Sequence, residues 1–399
     1  MRISVPGIPQ AVLDAKPIFS VKSVKEATER LSEFLGFGNV TVLTGAGVSV
    51  DSGIRAYRGD DGRYMNPNYK PIFWHELVDS SEKGHAFRLR SYLGYPPVRD
   101  ARPNTTHFAL AALQHTSHIS RIITQNVDGL HHKALRETAA LHWNSARMQE
   151  NILELHGTLH HVHCNRGHVV DRNTFQDRLS AANPKWYQYA EELERIGMQP
   201  RTNPDGDVAV EQLGISYNDF VVPNCPECLL EDHQNSVLKP EVVFFGESIP
   251  KVVKDRSYAD RQIMWEQRTH MVFSDIETSK PVISYFSWVP LSLRTRPSGQ
   301  WIPRCTPVTV FDIDAPRLLK HALELKKPVI LLNVGPSRAD GLPGIVKLDI
   351  PSGAIMRDVA RNVIGSRETE DPIVAEMLQS GVINPTSADE DDGSPRAAG

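Results

Sequence analysis

The chain has 399 residues, 40% apolar and 23% charged, with 44 Lys+Arg against 48 Asp+Glu and a formal net charge of −4. Such a chain holds one large domain with a smaller module, or two domains, and its composition excludes a disordered or collagen-like polymer. The charge balance excludes the clustered basic excess of a direct nucleic-acid binder, and no apolar run approaches the roughly 20 residues that span a membrane.

Met1 to Phe19 carries Asp14, few basic residues and no apolar core. It is no secretory signal and at most a weak mitochondrial presequence, so residues 1–23 are set apart as an N-terminal segment. Val24 to Leu35 reads as an amphipathic helix, with Val24, Ala27, Leu31, Phe34 and Leu35 at helical spacing and Gly36 and Gly38 ending it. The β-branched run Asn39 to Thr44 then enters Gly45-Ala46-Gly47, the first half of a nucleotide-binding strand–helix unit. Three more apolar strands follow: Ile119 to Thr124 into Gln125-Asn126-Val127-Asp128, Glu241 to Phe245 into Gly246-Glu247, and Pro328 to Leu332 into Asn333-Val334-Gly335. Helical stretches such as His107 to Gln114 and Arg317 to Leu325 lie between them. This pattern predicts an α/β fold, an open parallel sheet whose ligands bind beyond the strand C-termini.

The expected organisation is a first domain part over 24–158, a small inserted module over 159–239 and a second domain part over 240–366. The module is His- and Asn-rich and holds three of the four cysteines. The last stretch, 367–399, ends in Asp389-Glu390-Asp391-Asp392 and is expected to be a disordered acidic tail.

Gly45, Ala46, Gly47 and Ser49, followed by Gly53, place small residues where a strand turns, so the backbone can approach a pyrophosphate. The pattern alone also fits a tight turn with no ligand. It departs from the dehydrogenase G-x-G-x-x-G because position 50 is Val, so hydride transfer is not the natural reading. Gln125, Asn126 and Asp128 stand at a second strand end, where they either grip a cofactor or close an Asx turn. Glu154-Leu155-His156-Gly157 sets a histidine beside a glycine. Four cysteines are too few for a disulfide framework and point to metal binding or a reducing compartment. Cys225-Pro226-Glu227-Cys228 has the spacing of a zinc knuckle.

Taken in order, Gly-Ala-Gly-x-Ser, Thr-Gln-Asn-Val-Asp-x-Leu-His, Glu-Leu-His-Gly, Cys-x-x-Cys and Val-Val-Phe-Phe-Gly-Glu resemble the sirtuins, over about 31–257 and 317–363. Asn203 to Val208, Phe220 to Pro223 and Asn333 to Arg338 are similar to the class II branch, which includes the animal mitochondrial sirtuin 4. The resemblance implies a Rossmann-type sheet with a zinc-ribbon-like module, and an NAD-dependent lysine deacylase that moves the acyl group to ADP-ribose and releases nicotinamide. It implies NAD+ as co-substrate, held by Gly45, Ala46, Gly47, Ser49, Gly53, Tyr57, Arg58, Gln125, Asn126, Asp128 and Asn333. His156 is then the general base, with Asn126 and Asp128 beside it, and an acyl-lysine peptide adds as a strand along Val243, Phe244, Phe245, Gly246 and Glu247. The alternatives are protein mono-ADP-ribosyl transfer, which shares the nicotinamide-release step, and an impaired sirtuin fold acting as a binding protein. Mitochondrial matrix is the compartment the resemblance implies, with nucleus and cytoplasm left open by the N-terminus.

Three departures stand out. The family's fourth zinc cysteine falls on Gly167, so the expected structural Zn2+ set is Cys164, His168, Cys225 and Cys228, with His163 a less favoured substitute. The cofactor loop reads Gly53-Ile54-Arg55-Ala56-Tyr57-Arg58, without the family's Pro-Asp pair. Residues 261–316 match nothing in the family, as an insertion or a retained intron would produce. No glycine–serine phosphate turn occurs there, Val289 to Leu293 echoes it only faintly, and Pro307 to Phe311 is the candidate for the missing strand of the sheet. No Tyr-x-x-Arg pair stands where the desuccinylating branch carries one, which disfavours a dicarboxyl acyl group.

Overall fold

The computed structural model describes residues 16–54, 72–198, 200–203, 207–210, 213–233, 237–247, 270–274, 315–335, 337 and 339–382. Its main sheet has seven parallel strands. They are β1 (Ser20–Val21), β2 (Val40–Thr44), β3 (Ile119–Thr124), β4 (Ile152–Glu154), β8 (His270–Ser274), β9 (Val329–Leu332) and β10 (Ile345–Leu348), in the order β1-β10-β9-β8-β2-β3-β4. From β2 the chain builds outward to β3 and β4, then returns to lay β8, β9 and β10 on the other side. The order therefore reverses between β2 and β8, and that switch point is where a doubly wound sheet opens a crevice.

Side-chain alternation explains why the sheet is covered on both faces. Val42, Ile122, Ile330 and Leu332 pack with the helices Val24–Gly36, Thr105–His115, Leu130–Ala139, Met356–Ile364 and Pro372–Gln379. Their neighbours Leu43, Ile123, Val329 and Leu331 point the other way, against Leu318, Leu319 and Ala322 of the helix Ala315–Glu324. The amphipathic helix at 24–36 starts where Ser23 Oγ accepts from Glu26 N–H at 3.4 Å and buries Ala27, Leu31, Phe34 and Leu35, as its spacing predicts.

Four expectations need correction. First, the sheet is not missing a central strand: His270–Ser274 pairs in parallel register with both β2 and β9. Pro307 to Phe311, the predicted substitute, lies outside the described residues. Second, the Glu241 run is not a strand of the parallel sheet. Lys239–Val242 (β7) pairs antiparallel with Gly157–His163 (β5), which also pairs with Val169–Asp171 (β6) in a separate three-stranded sheet. Third, the N-terminal segment joins the fold from Ser20, because β1 pairs with β10. Fourth, order continues beyond 367. Pro372–Gln379 is a helix that buries Val374, Met377 and Leu378, and only residues from 383 lie outside the description.

The small module has its own core of Val162, Phe175, Trp186, Phe220 and Leu238, beside three buried cysteines. It joins the large sheet through Gly157, whose φ is +77° and whose missing Cβ would lie 1.9 Å from the Glu241 carbonyl oxygen. Only glycine combines that backbone with that approach.

The helix at 372–379 is part of the core, so Met377→Ala, at a side chain 0% exposed, should destabilise the protein by about 2–5 kcal/mol in urea unfolding. A loss below about 0.5 kcal/mol would mean the segment contributes only as a solvated end.

Candidate active site and metal centre

Beyond the C-terminal ends of β2 and β3, two turns are bound to each other by side chains. The first is a 3₁₀ turn, Ala46–Ser52, entered through Gly45 and closed by Gly53 at φ +81°. The second is Gln125 to Gly129. Asn126 Nδ2 donates to Gly45 O and to Ser49 Oγ, both at 3.0 Å, and Ser49 Oγ donates to Asp128 Oδ2 at 2.7 Å. Asp128 Oδ1 accepts from Leu130 N–H at 3.0 Å, so the carboxylate also caps the next helix. Ser49, Asn126 and Asp128 are all buried. Burial pushes the Asp128 carboxyl up from the usual carboxylate range, against the lowering effect of the Leu130 N–H and the Ser49 hydroxyl. Gln125 is also buried, and its Oε1 has no partner among the described residues.

His156 lies two residues past the end of β4 and stands half-buried beside this clasp. Its Nδ1 lies 3.1 Å from Gln125 O. A carbonyl oxygen only accepts, so that contact selects the Nδ1–H tautomer and leaves the Nε2 lone pair unprotonated. Burial lowers the His156 pKa, with the hydrogen bond to Gln125 opposing it, and the ring is neutral near pH 7.

The structure thus brings Gly45, Ala46, Gly47, Ser49, Gly53, Gln125, Asn126, Asp128 and His156 to one end of the sheet. Asn333 lies at the same edge after β9, with its N–H on Leu348 O at 3.0 Å and its amide turned to Val334 O and Gly335 O. Tyr57 and Arg58 lie outside the described residues. The switch-point location, the small-residue turn and the orphaned Gln125 amide oxygen fit an anionic dinucleotide.

The expected peptide strand is partly engaged within the chain. Val243 N–H donates to His156 O at 2.9 Å, and Trp74 N–H donates to Phe245 O at 2.9 Å. Phe244 N–H donates to Glu247 Oε2 at 3.1 Å, and the Glu247 carboxylate is held by buried Lys239 at 2.9 Å. Glu247 is thus an internal brace of the loop, and Phe245, half-exposed with Gly246 at φ +81°, is the surface it presents.

Sequence reasoning missed several supporting groups. Thr44 Oγ1 meets His131 Nε2 at 2.9 Å, His160 Nε2 donates to Asp128 O at 2.7 Å, and Asn104 Nδ2 donates to Val48 O at 2.7 Å. For Asn104 the signal was present, since it caps the helix Thr105–His115 and pairs with His107 in a capping box.

The predicted metal set converges. Cys164, His168, Cys225 and Cys228 have donor atoms all within 4.8 Å of one another. Cys164 Sγ to Cys228 Sγ is 3.8 Å, and His168 Nδ1 lies 3.6 Å from Cys225 Sγ and 3.4 Å from Cys228 Sγ. A tetrahedral zinc with bonds of about 2.3 Å to sulfur and 2.0–2.1 Å to nitrogen has S···S edges of about 3.8 Å and S···N edges of about 3.6 Å. The donor set fits Zn2+. Gly167 at φ +87° turns the chain just ahead of His168, and His168 Nε2 faces Glu231 at 3.7 Å. His163 stays outside, with Nδ1 3.2 Å from Cys164 O.

A doubly wound sheet with a ligand crevice at its switch point and a Cys/His metal ribbon inserted beside a histidine defines a nucleotide-dependent α/β enzyme class. The family model described as the Sir2 family matches residues 45–265. The chain belongs to the Sir2 family. It is 36% identical over 348 residues to the NAD-dependent protein deacylase SIR4 of Batrachochytrium dendrobatidis, covering 86% of this chain and 96% of that one. It is 33% identical to SIR4 of Monosiga brevicollis over 88% of this chain and 94% of that one. To the NAD-dependent protein deacylase Sirt4 of Drosophila melanogaster it is 35% identical, over 57% of this chain and 64% of that one.

Two outcomes are expected. Purified protein should carry close to one zinc per chain, His168→Ala should lose most of it, and His168→Cys should keep it; equal zinc in wild type and His168→Ala would remove His168 from the set. The second concerns His131 and His107, whose rings lie 4.9 Å apart. Burial, then the neighbouring His132, lowers His131 to about 3; burial, then His131, holds His107 well below 6.5. Both are neutral when folded, so the stability linked to them is fully present above pH 6.5 and falls as the pH drops below 6.5, for His131 down to about 3. Stability measured by urea unfolding should therefore decline as the pH is lowered from 7 to 5. A stability profile flat from pH 7 to 5 would contradict it.

Proposed function

We propose that the chain is an NAD-dependent protein-lysine deacylase in which His156 is the general base. The observation that carries this reading is the His156 ring, held by Gln125 O at Nδ1 with Nε2 left as the lone-pair nitrogen, next to the Ser49–Asn126–Asp128 clasp. Membership of the Sir2 family and relatives named as NAD-dependent deacylases support it.

NAD+, when bound, supplies the nicotinamide leaving group and the ribose that accepts the acyl group. The chain's residues do the rest. The turn Gly45 to Ser49 presents backbone to the phosphates, with Gly53 closing it. Asn126 and Asp128 fix that turn against the strand-end loop, and the free Gln125 amide oxygen offers an acceptor to an N–H or hydroxyl. His156 Nε2 takes a proton from a sugar hydroxyl, and Gln125 O steadies the imidazolium through Nδ1–H, as a base of this kind requires. Partial burial keeps the ring neutral beforehand. The acyl-lysine peptide lies against Phe244, Phe245 and Gly246, through whichever backbone groups Trp74 and Glu247 leave available. The zinc holds the small module together and takes no part in the proton steps. Similarity to Sirt4-named proteins supports a mitochondrial site of action; no helix among the described residues is long and apolar enough to cross a membrane.

The test is nicotinamide release from NAD+ with an acetyl-lysine and a branched-acyl-lysine peptide. Peptide-dependent release should fall by about 10²–10⁴-fold in His156→Ala. In wild type, kcat/KM should hold steady as the pH falls through 7 and decline only below 6.5, because the base is active when deprotonated and its pKa lies under the ordinary histidine value. Activity unchanged in His156→Ala would overturn the assignment. ADP-ribose found on protein, without acyl-ADP-ribose, would move the reaction to mono-ADP-ribosyl transfer.

A further inference from the structure

Where the helices Glu82–Leu93 and Arg172–Ala182 face the end of β7, they leave a small cavity of about 20 Å³. A single water needs about 10–15 Å³ of such space, so only a ligand near water in size enters. Arg88, Arg172 and Lys239 line it together with apolar side chains that include Leu77, Phe175 and Leu238. None of the residues assigned to the dinucleotide does.

The three cations differ in how their charge is met. Lys239 is paired with Glu247 at 2.9 Å. Arg88 is half-buried, donates from Nη2 to Asp79 O at 2.9 Å, and has the Asp79 carboxylate nearby. Arg172 is 1% exposed and has no carboxylate partner among the described residues. Asp171, next to it in the chain, accepts instead from the N–H groups of Asn173 and Thr174. Arg172 Nη2 donates to Ser91 O at 2.9 Å and to Gln176 Oε1 at 3.2 Å, and its guanidinium lies 4.6 Å from the Tyr95 ring centroid and 5.7 Å from that of Phe175. Aromatic faces and neutral oxygens offset only part of the cost of a buried cation. Burial lowers the Arg172 pKa to about 10, which still leaves the group charged at pH 7. The Nε atoms of both Arg172 and Arg88 are buried and have no partner among the described residues. A full positive charge and two free donors therefore border a space of about one water.

We infer that this cavity binds a single halide ion of chloride size, held between the guanidinium groups of Arg172 and Arg88. Size and charge select it together. A water fits the space and accepts from the two Nε–H groups, but it brings no charge to offset Arg172. A carboxylate or phosphate brings the charge but exceeds the space. A monatomic anion meets both conditions, and bonds from guanidinium to an anion are the strong kind. The site is separate from the dinucleotide crevice, so it does not depend on the deacylase reading.

The test is the chloride NMR linewidth of the zinc-loaded full chain, titrated with sodium chloride against sodium gluconate at constant ionic strength. The excess linewidth should saturate as one class of site. Bromide should abolish it, whereas gluconate, too large for the cavity, and saturating NAD+ should not. Arg172→Gln should weaken chloride binding at least about tenfold, and Arg88→Gln by a smaller factor of about three. Far-ultraviolet circular dichroism and zinc content establish that each variant is folded; if Arg172→Gln does not fold, Arg88→Gln carries the test. The inference is overturned by no saturable excess linewidth, as a water in the cavity would give, or by an excess that bromide leaves intact. Unchanged affinity in a folded Arg88→Gln variant, or loss of the excess on adding NAD+, would overturn it equally.

Discussion

The hydrogen bonds that join Ser49, Asn126 and Asp128 are the constraint on which the active end of the molecule depends. A parallel sheet satisfies its backbone along the strands, but the turns beyond their C-termini have no ladder to hold them. Here the turn after β2 and the turn after β3 hold each other. Asn126 reaches Gly45 O and Ser49 Oγ, Ser49 reaches Asp128, and Asp128 caps the helix that follows. The arrangement is costly, because it buries a carboxylate whose pKa burial raises. Protonation of Asp128 would relieve that burial but remove an acceptor. The neutral hydrogen bonds around the carboxylate therefore set both the shape of the crevice and its charge, and His156 is aligned on the same loop through Gln125 O.

Most of this was legible in the sequence because the relevant signals are local. Gly45-Ala46-Gly47 after a β-branched run, and an Asn and an Asp two residues apart after another, each name a strand end. Cys225 and Cys228 name a knuckle, and a histidine one residue past the empty fourth position was a sufficient clue to His168. What was not legible depends on long-range partners. Glu241 to Phe245 is apolar enough for the large sheet, but Gly157 brings Lys239–Val242 to β5 and the antiparallel pairing follows. The helix at 372–379 looked like the start of an acidic tail because the charges that follow it dominate the composition, while Val374, Met377 and Leu378 reveal their role only when Phe108 and its neighbours are packed on them. The hydrogen bonds of Thr44 to His131 and of His160 to Asp128 span 87 and 32 residues and leave no periodic trace.

The metal ribbon combines three cysteines and a histidine in one tight donor set. Gly167, in a left-handed conformation, turns the chain just ahead of His168. Cys164 N–H still bonds His168 O at 3.1 Å, and Gly167 N–H bonds Cys164 O at 3.0 Å, so the knuckle is closed by backbone as well as by metal. Glu231 faces the far nitrogen of His168 and His233 at once, which orients the imidazole for its Nδ1 role.

The central strand makes the last point. A strand in a parallel sheet is held by backbone pairs, which any β-tolerant run can provide. His270–Ser274 pairs in register with β2 over five positions and with β9 over four. A phosphate-binding turn is far less tolerant, since it needs small residues whose backbone can approach the anion. The residues that follow Ser274 are Asp275, Ile276 and Glu277, with no glycine and two carboxylates. The strand therefore holds its place by a generic interaction, whereas the dinucleotide contacts we propose rest on specific ones elsewhere: the turn at 45–53, the amide and carboxylate at 125–128, and Asn333. Architecture and affinity are separable here because one is written in the backbone and the other in the side chains.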